Sequence, residues 1–205
     1  MKKMIRTKCE NEVNLSGRVV EKPKYHHSDK WNEYYEFFVA SKRNSGIDDI
    51  IPVIATKDKV ENLNMNEGDR VVVSGDYRSY TRLGIKKLEL YVFANSIEMR
   101  EDAPCNNIVL EGYVCKKSKL RITPLTERKI LEIIVASNRG KDSTSYIPCI
   151  IWGIDEKTAE DDFAIGKLLK LYGRVQSREY QKVYESGETE SKVAYEVSVR
   201  RYYNL

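Results

Sequence analysis

Four short blocks of sequence occur twice in the 205 residues, in the same order and at spacings of 95 to 98 residues. Chance would supply one such block far more readily than four, and repeats of this kind indicate copies of one structural unit. The chain therefore contains two copies of a domain of about 100 residues, and we expect the domains to cover 1–102 and 105–205. The paired blocks are 13–17 with 108–112, 39–41 with 135–137, 51–54 with 147–150, and Gly68/Gly75 with Gly166/Gly173.

Each copy contains five segments rich in Val, Ile and Tyr that are typical of β-strands. A polar, helix-compatible stretch follows the third strand, at 57–63 in copy one and at 155–160 in copy two. Three strands, a short helix and two more strands are the layout of the OB-fold. We therefore predict an all-β chain with short helices, built as two tandem five-stranded OB-fold barrels; a small β-sandwich would not explain the helix. The predicted strands are 12–20, 33–43, 49–56, 69–80 and 85–98, then 107–119, 129–138, 145–153, 167–180 and 192–202.

Composition argues against several functional classes. The apolar runs are far shorter than the roughly 20 residues that a membrane helix needs, and no secretion signal is visible, so we expect a cytoplasmic protein that does not bind a membrane. The four cysteines form no C-x-x-C pair, so neither a metal site nor another cofactor is predicted. The two histidines, His26 and His27, adjoin each other in a polar segment and lack the partners that most acid–base chemistry requires. We therefore expect no catalytic residues and no enzyme activity.

The fourth strand of copy two has two chemically different sides, because successive strand residues point in opposite directions. One side is aliphatic, and the other alternates rings, guanidinium groups and an amide at Tyr172, Arg174, Gln176, Arg178 and Tyr180. Rings can stack on bases and arginines can contact phosphates, so this side is suited to a nucleic acid strand. A solvated polar face or a subunit interface would give the same pattern.

Two further features of copy two favour binding of an oligonucleotide. In the third strand, Tyr146 and Trp152 lie on one side, with Ile150, and the opposite side is aliphatic. Within 114–141, eight residues are basic and two are acidic, whereas acidic residues collect near the helix at 155–162. In OB-folds the loop between strands 1 and 2 and the face of strands 2 and 3 bind oligonucleotides. The basic residues are Lys116, Lys117, Lys119, Arg121, Arg128, Lys129, Arg139 and Lys141.

Copy two resembles the bacterial single-stranded DNA-binding protein (SSB) family. The resemblance covers most of the copy through the segments 107–114, 121–124, 135–139, 145–153 and 166–180. It implies a protein that binds single-stranded DNA in replication, repair or recombination and performs no catalytic step. In the family, aromatic residues begin strand three, follow six residues later and end strand four; these positions look like Tyr146, Trp152 and Tyr180.

Copy one is less similar to the family. The repeat places Ile50, Thr56 and Arg82 where copy two has the three rings. Aromatic and basic residues nearby are weaker candidates, so we expect copy two to bind DNA more strongly. The candidates in copy two are Tyr146, Trp152, Tyr180, Arg174, Arg178, Lys182, Arg139, Lys141, Arg121, Arg128 and Lys129. The weaker ones in copy one are Trp31, Tyr34, Arg78, Tyr80 and Arg82.

The resemblance also bears on partners. Family members commonly assemble four OB domains, so two domains in one chain imply a homodimer. The sequence ends without an acidic tip, so we expect any replication or repair proteins to be bound in another way. Two alternatives stay open from the residues: an OB-fold protein-interaction module of a replication or primosome complex, and RNA binding.

Overall fold

The computed structural model describes residues 8–82, 87–123, 127–140, 143–184 and 187–205, which form twelve strands and two short helices. The first half contains β1 (Asn11–Val19), β2 (Lys24–Ser28), β3 (Glu33–Lys42), β4 (Asp48–Thr56), α1 (Lys57–Glu61), β5 (Arg70–Arg82) and β6 (Lys87–Met99). The second half contains β7 (Cys105–Lys117), β8 (Arg121–Ile122), β9 (Lys129–Gly140), β10 (Ser143–Trp152), α2 (Glu156–Asp161), β11 (Leu168–Val183) and β12 (Thr189–Asn204).

Each half closes into a five-stranded barrel. In the first half, β1 pairs with both β5 and β3, and β4 pairs in parallel with β6. The second half repeats this arrangement, with β7 pairing to β11 and β9 and with β10 parallel to β12. Alternation along β1 shows why the sequence folds this way, since Val13 and Leu15 enter the core while Glu12 and Asn14 are exposed. The predicted OB-fold class is confirmed.

Two short strands were not predicted from the sequence. Strand β2 forms a hairpin with β3, and β8 pairs with β9. The polar segment around His26 and His27, for which no strand was predicted, therefore belongs to a strand. Both strands lie at the ends of the sheet and are largely exposed, so they lack the apolar alternation that reveals a half-buried strand.

Close backbone contacts explain one repeated glycine position. Gly75 and Gly173 occupy equivalent β-bulges, in the β5–β6 and β11–β12 pairs. A Cβ atom on Gly75 would lie 2.1 Å from the carbonyl oxygen of Phe93, and one on Gly173 would lie 2.3 Å from that of Ser198. Both distances are far below a van der Waals contact, so only glycine fits at this point of either barrel.

The two barrels share one continuous sheet, because β1 of the first half pairs antiparallel with β7 of the second. In this pairing Val13 lies opposite Ile108, its own equivalent in the repeat. Antiparallel pairing of equivalent residues requires an approximate two-fold axis between them. The axis therefore passes between Val13 and Ile108 and relates one half to the other.

Hydrogen bonds at the junction obey the same symmetry. The Asn11 amide donates to the carbonyl of Tyr77 at 2.8 Å and accepts from its N–H at 2.9 Å. Asn106 makes the same pair of bonds with Val175, at 2.7 and 2.9 Å. Amide side chains thus tie β1 to β5 and β7 to β11 near the axis.

Apolar side chains fill both barrels. Phe37 and Tyr77 are fully buried in the first, and Ile147 and Leu169 in the second.

No helix within the described ranges has the length and apolar character needed to cross a membrane.

Candidate nucleic-acid interface

A groove of about 810 Å³ lies between the two halves, and we call it the central groove. The first half contributes residues of β3, β4 and the turn between them, and the second half contributes residues of β8, β9, β10, β11 and β12. The lining residues that matter for its chemistry are Arg43, Ile50, Arg121, Trp152, Arg174 and Arg178. Four of the six are arginines, so the groove combines an aromatic ring with several guanidinium groups.

Trp152 is one of three aromatic residues that line the central groove, together with Phe38 and Tyr195. It ends β10 with 39% of its area exposed, and its Nε1 donates a hydrogen bond to Ser198 Oγ at 3.2 Å. Ile150, on the same side of β10, is buried and lines the groove beside it. An indole anchored through one edge, beside an apolar neighbour, provides a platform on which a base can stack.

A polar network orients the arginines of β11. Arg174 Nη2 donates to Gln176 Oε1 at 2.9 Å, and Gln176 Nε2 donates to Glu196 Oε1 at 2.7 Å. Arg178 Nε donates to the same Glu196 oxygen at 3.1 Å, and the Arg178 guanidinium lies 5.8 Å from the Tyr180 ring. The buried Glu196 carboxylate therefore orients the Arg178 guanidinium directly and the Arg174 guanidinium through Gln176.

Asp49 connects the two halves at the edge of the central groove. Its side chain is 1% exposed and forms a bidentate ion pair with Arg43. One Asp49 oxygen accepts from the N–H of Ser177 at 3.0 Å, and Arg174 Nη1 lies 3.8 Å from the other. A carboxylate of the first half therefore positions an arginine of the second.

The charges around Arg174 also affect its pKa. Burial lowers the pKa of Arg174, and the Asp49 carboxylate opposes that shift. The like charges of Arg43 and Arg200 lower the pKa further. Arg43 and Arg200 thus each lie close enough to Arg174 to repel its charge.

Some predicted site residues lie at the other junction between the halves, not in the central groove. Tyr146 and Tyr80 are each 50% exposed, and the N–H of Tyr146 donates to Ser79 Oγ at 2.7 Å. By the two-fold symmetry, the equivalent bond runs from Ile50 N to Ser177 Oγ at 3.0 Å, beside the central groove. Tyr146 and Trp152 lie on the same side of β10, but they lie at different junctions between the two halves.

Arg78 and Arg139 lie at the same junction as Tyr146 and Tyr80. In the described part of the chain, the Nε atoms of both are buried without a hydrogen-bond partner. Burial lowers the pKa of Arg139, and the like charge of Arg78 lowers it further. Arg78 stacks on Phe93, with its guanidinium carbon 3.6 Å from the ring centroid, and pairs with Asp76 at 2.9 Å.

The remaining candidates of the second half surround these sites. Arg121 pairs with Glu132 and lines the central groove. Arg128 is exposed beside β9, and Lys129 begins that strand half-buried. Lys182 is exposed on β11, with its Nζ 4.7 Å from the Tyr184 ring. Lys141 lies outside the described residues.

Two weaker candidates of the first half, Trp31 and Tyr34, lie in the β2–β3 hairpin. Tyr34 stacks on His27 with ring centroids 4.5 Å apart, and its ring lies 6.1 Å from that of Phe93. Trp31 is highly exposed, with Lys30 Nζ 4.9 Å from its ring. Arg82 ends β5, and its side chain is not among those described.

Sequence reasoning missed Arg43, Ile50 and Arg200. The repeat contained a signal for the first two, since they are equivalent to Arg139 and Tyr146 of copy two. Their placement beside Trp152 depends on the approximate two-fold axis, which the sequence does not reveal. Among the described residues, no group of three or more His, Cys, Asp or Glu side chains is arranged to hold a metal ion.

Two OB-fold barrels with aromatic and cationic grooves at their junction define a class of oligonucleotide-binding protein. Residues 105–203 match the single-strand binding protein family. The second half of the chain is therefore similar to this family.

Two relatives and one solved structure show further similarity to this chain. The chain is 31% identical over 81 residues to a single-stranded DNA-binding protein of Clostridium tetani, an alignment covering 37% of this chain and 56% of the relative. It is 32% identical over 82 residues to single-stranded DNA-binding protein 3 of Streptococcus agalactiae, covering 37% and 59%. The alignments thus span less than two thirds of these relatives. The wild-type single-stranded DNA binding protein from Thermus aquaticus shares the fold, with a TM-score of 0.73 and 19% identity over 97% of this chain and 94% of that chain.

Proposed function

We propose that this protein binds single-stranded DNA with little sequence preference and performs no chemical step. The observation that carries the proposal is the central groove, where Trp152 lies beside Arg174 and Arg178. Every base has a face that can stack on an indole, and every nucleotide brings a phosphate that can pair with a guanidinium group. Neither contact reads the identity of the base, so the groove suits any sequence.

The family match supports this function over the protein-interaction module, because the matched family is defined by single-strand binding. We propose replication, repair or recombination as its setting, in the cytoplasm, where chromosomal DNA becomes single-stranded. The proposed contact residues are Tyr146, Trp152, Tyr180, Arg174, Arg178, Lys182, Arg139, Lys141, Arg121, Arg128 and Lys129, with weaker contributions from Trp31, Tyr34, Arg78, Tyr80 and Arg82.

Salt dependence provides the first test. Each phosphate neutralised on a single strand contributes about −0.7 to the slope of log affinity against log salt concentration. If Arg43, Arg121, Arg174 and Arg178 each neutralise one phosphate, the slope is about −2.8, and Kd rises several hundredfold from about 50 to about 500 mM salt. We expect oligo-dT to quench tryptophan emission at low salt and the quenching to reverse as salt is added. An affinity that barely responds to salt, or no binding at low salt, would contradict the proposal.

We further propose that residues 1–102 and 105–205 are the two domains and that the chain forms a homodimer with four OB domains. The tandem arrangement supports this assembly, since two chains supply the four domains that the family resemblance implies. Light scattering of the purified protein at micromolar concentration is expected to give twice the mass of one chain. The mass of a single chain at that concentration would rule out the dimer.

A further inference from the structure

The two-fold axis produces two equivalent pockets, one on each side of the β1–β7 pair. The first, which we call the basic pocket, has a volume of about 510 Å³ and lies between the end of β3, the start of β7 and strands β11 and β12. The second, the acidic pocket, has a volume of about 570 Å³ and lies between β1, β5, β6 and the neighbouring part of β7. Strands β1, β5 and β6 of the acidic pocket are equivalent to β7, β11 and β12 of the basic pocket, whereas the end of β3 and the turn after it line the basic pocket only.

The basic pocket carries an excess of positive charge. It is lined by Lys42, Arg43, Arg174 and Arg200, against the single carboxylate of Asp49. Arg200 donates to Asn107 Oδ1 at 3.2 Å. In the described part of the chain, neither Lys42 nor Arg200 forms an ion pair, so both charges are free for a ligand.

The acidic pocket has the opposite charge. Asp76 stands where the basic pocket has Arg174, and Asn95 stands where it has Arg200. Glu10, Glu12 and Glu111 also line it. Lys8 lines the same pocket, and Lys170 pairs with Glu10 and with Glu111. Arg78 pairs with Asp76 at 2.9 Å, so Lys8, Lys170 and Arg78 together leave one of the four carboxylate charges without a matching cation.

The basic pocket is continuous with the central groove. Arg43 and Arg174 line both cavities, so a ligand in one meets the same guanidinium groups as a ligand in the other. The repulsion of Arg174 by Arg43 and Arg200, described above, means that an anion placed between them would relieve an electrostatic cost.

We propose that the basic pocket binds phosphates of the same DNA strand that occupies the central groove and leads that strand across the junction onto the first half. This inference rests on the proposed function. Lys42 and Arg200 supply the free charges, while Arg43 and Arg174 join the pocket to Trp152. At the equivalent place on the other side of the axis, the acidic pocket lacks the excess of positive charge that would hold a DNA backbone.

The double variant Lys42→Gln/Arg200→Gln tests this path. Two lost phosphate contacts are expected to reduce the magnitude of the salt slope by about 1.4 and to weaken oligo-dT binding by roughly tenfold or more near 0.1 M salt. Quenching of Trp152 at saturation is expected to stay unchanged, since the stacking site is intact. The measurement is fluorescence titration from about 50 to about 300 mM salt, with a thermal melt of each variant as a check on folding.

Three comparisons make the outcome decisive. The control Lys57→Gln/Lys59→Gln removes the same charge on α1, where both lysines form ion pairs outside the pocket, and is expected to keep the wild-type slope. Lys42→Arg/Arg200→Lys keeps the charge and is expected to retain the wild-type slope. Glu12→Gln in the acidic pocket is expected to leave binding nearly unchanged. A wild-type slope in Lys42→Gln/Arg200→Gln would overturn the basic pocket alone, whereas failure of the wild type to bind would overturn the proposed function.

Discussion

Replacing Asp49 with alanine is expected to lower the free energy of unfolding by about 3 kcal/mol, because it removes one partner from a buried ion pair. The Asp49 carboxylate is 1% exposed and accepts hydrogen bonds from Arg43 and from the backbone of Ser177. Without it, Arg43 and Arg174 keep their charges in a partly desolvated site with no compensating anion. Urea denaturation of the full chain measures the effect.

The neighbouring carboxylate gives a matched control. Asp48 is 35% exposed and pairs with Arg18 at 3.5 Å, and Arg18 itself is 54% exposed. Exposed pairs of this kind contribute from nearly nothing to about 1 kcal/mol, so Asp48→Ala is expected to have a small effect. Equal losses for Asp48→Ala and Asp49→Ala would show that Asp49 does not hold the junction together.

Replacing Trp152 with alanine is expected to raise the Kd for oligo-dT by about 5- to 150-fold, corresponding to the 1–3 kcal/mol that a stacked base contributes. Trp152→Phe keeps an aromatic ring and is expected to raise the Kd by a smaller factor. Since Trp31 is the only other tryptophan, the variant Trp31→Phe makes the emission report on Trp152 alone. Anisotropy of a labelled oligo-dT gives the Kd for the variants that lack Trp152.

An exposed apolar side chain away from the groove serves as the control for this experiment. Ile165 is 70% exposed and does not line the central groove, so Ile165→Ala is expected to bind like the wild type. If Trp152→Ala folds and binds as tightly as Ile165→Ala, base stacking on Trp152 is excluded. Thermal melts of both variants distinguish lost binding from lost folding.

The barrels were predictable because their strands carry a strong local signal. The expected strand at 33–43 is β3 (Glu33–Lys42), and the one at 167–180 is β11 (Leu168–Val183). In both, apolar residues alternate toward a buried core, so the period of two is visible in the sequence. Strands β2 and β8 gave no such signal, because their stability comes from pairing at a sheet end and not from burial.

The site was only partly predictable, because two of its determinants are relations between distant residues. Alternation predicted Trp152, Arg174 and Arg178 on the side of their strands opposite the aliphatic one, and all three line the central groove. It also grouped Tyr146 with Trp152, although the structure assigns them to different junctions. Neither that separation nor the proximity of Arg43 to Trp152 follows from local pattern, since both depend on how β1 pairs with β7.

Joining both copies in one chain has a consequence for the electrostatics of the junction. In a dimer of identical chains, a two-fold interface repeats every residue, so the positions of Arg174 and Asp76 would carry the same side chain on both faces. Here a short segment between β6 and β7 joins the two copies in one chain. Each copy is encoded separately, so a residue can change in one copy without changing in the other. A covalent connection thus permits the pocket on one side of the axis to carry an excess of positive charge that the equivalent pocket lacks, a difference that identical subunits could not have.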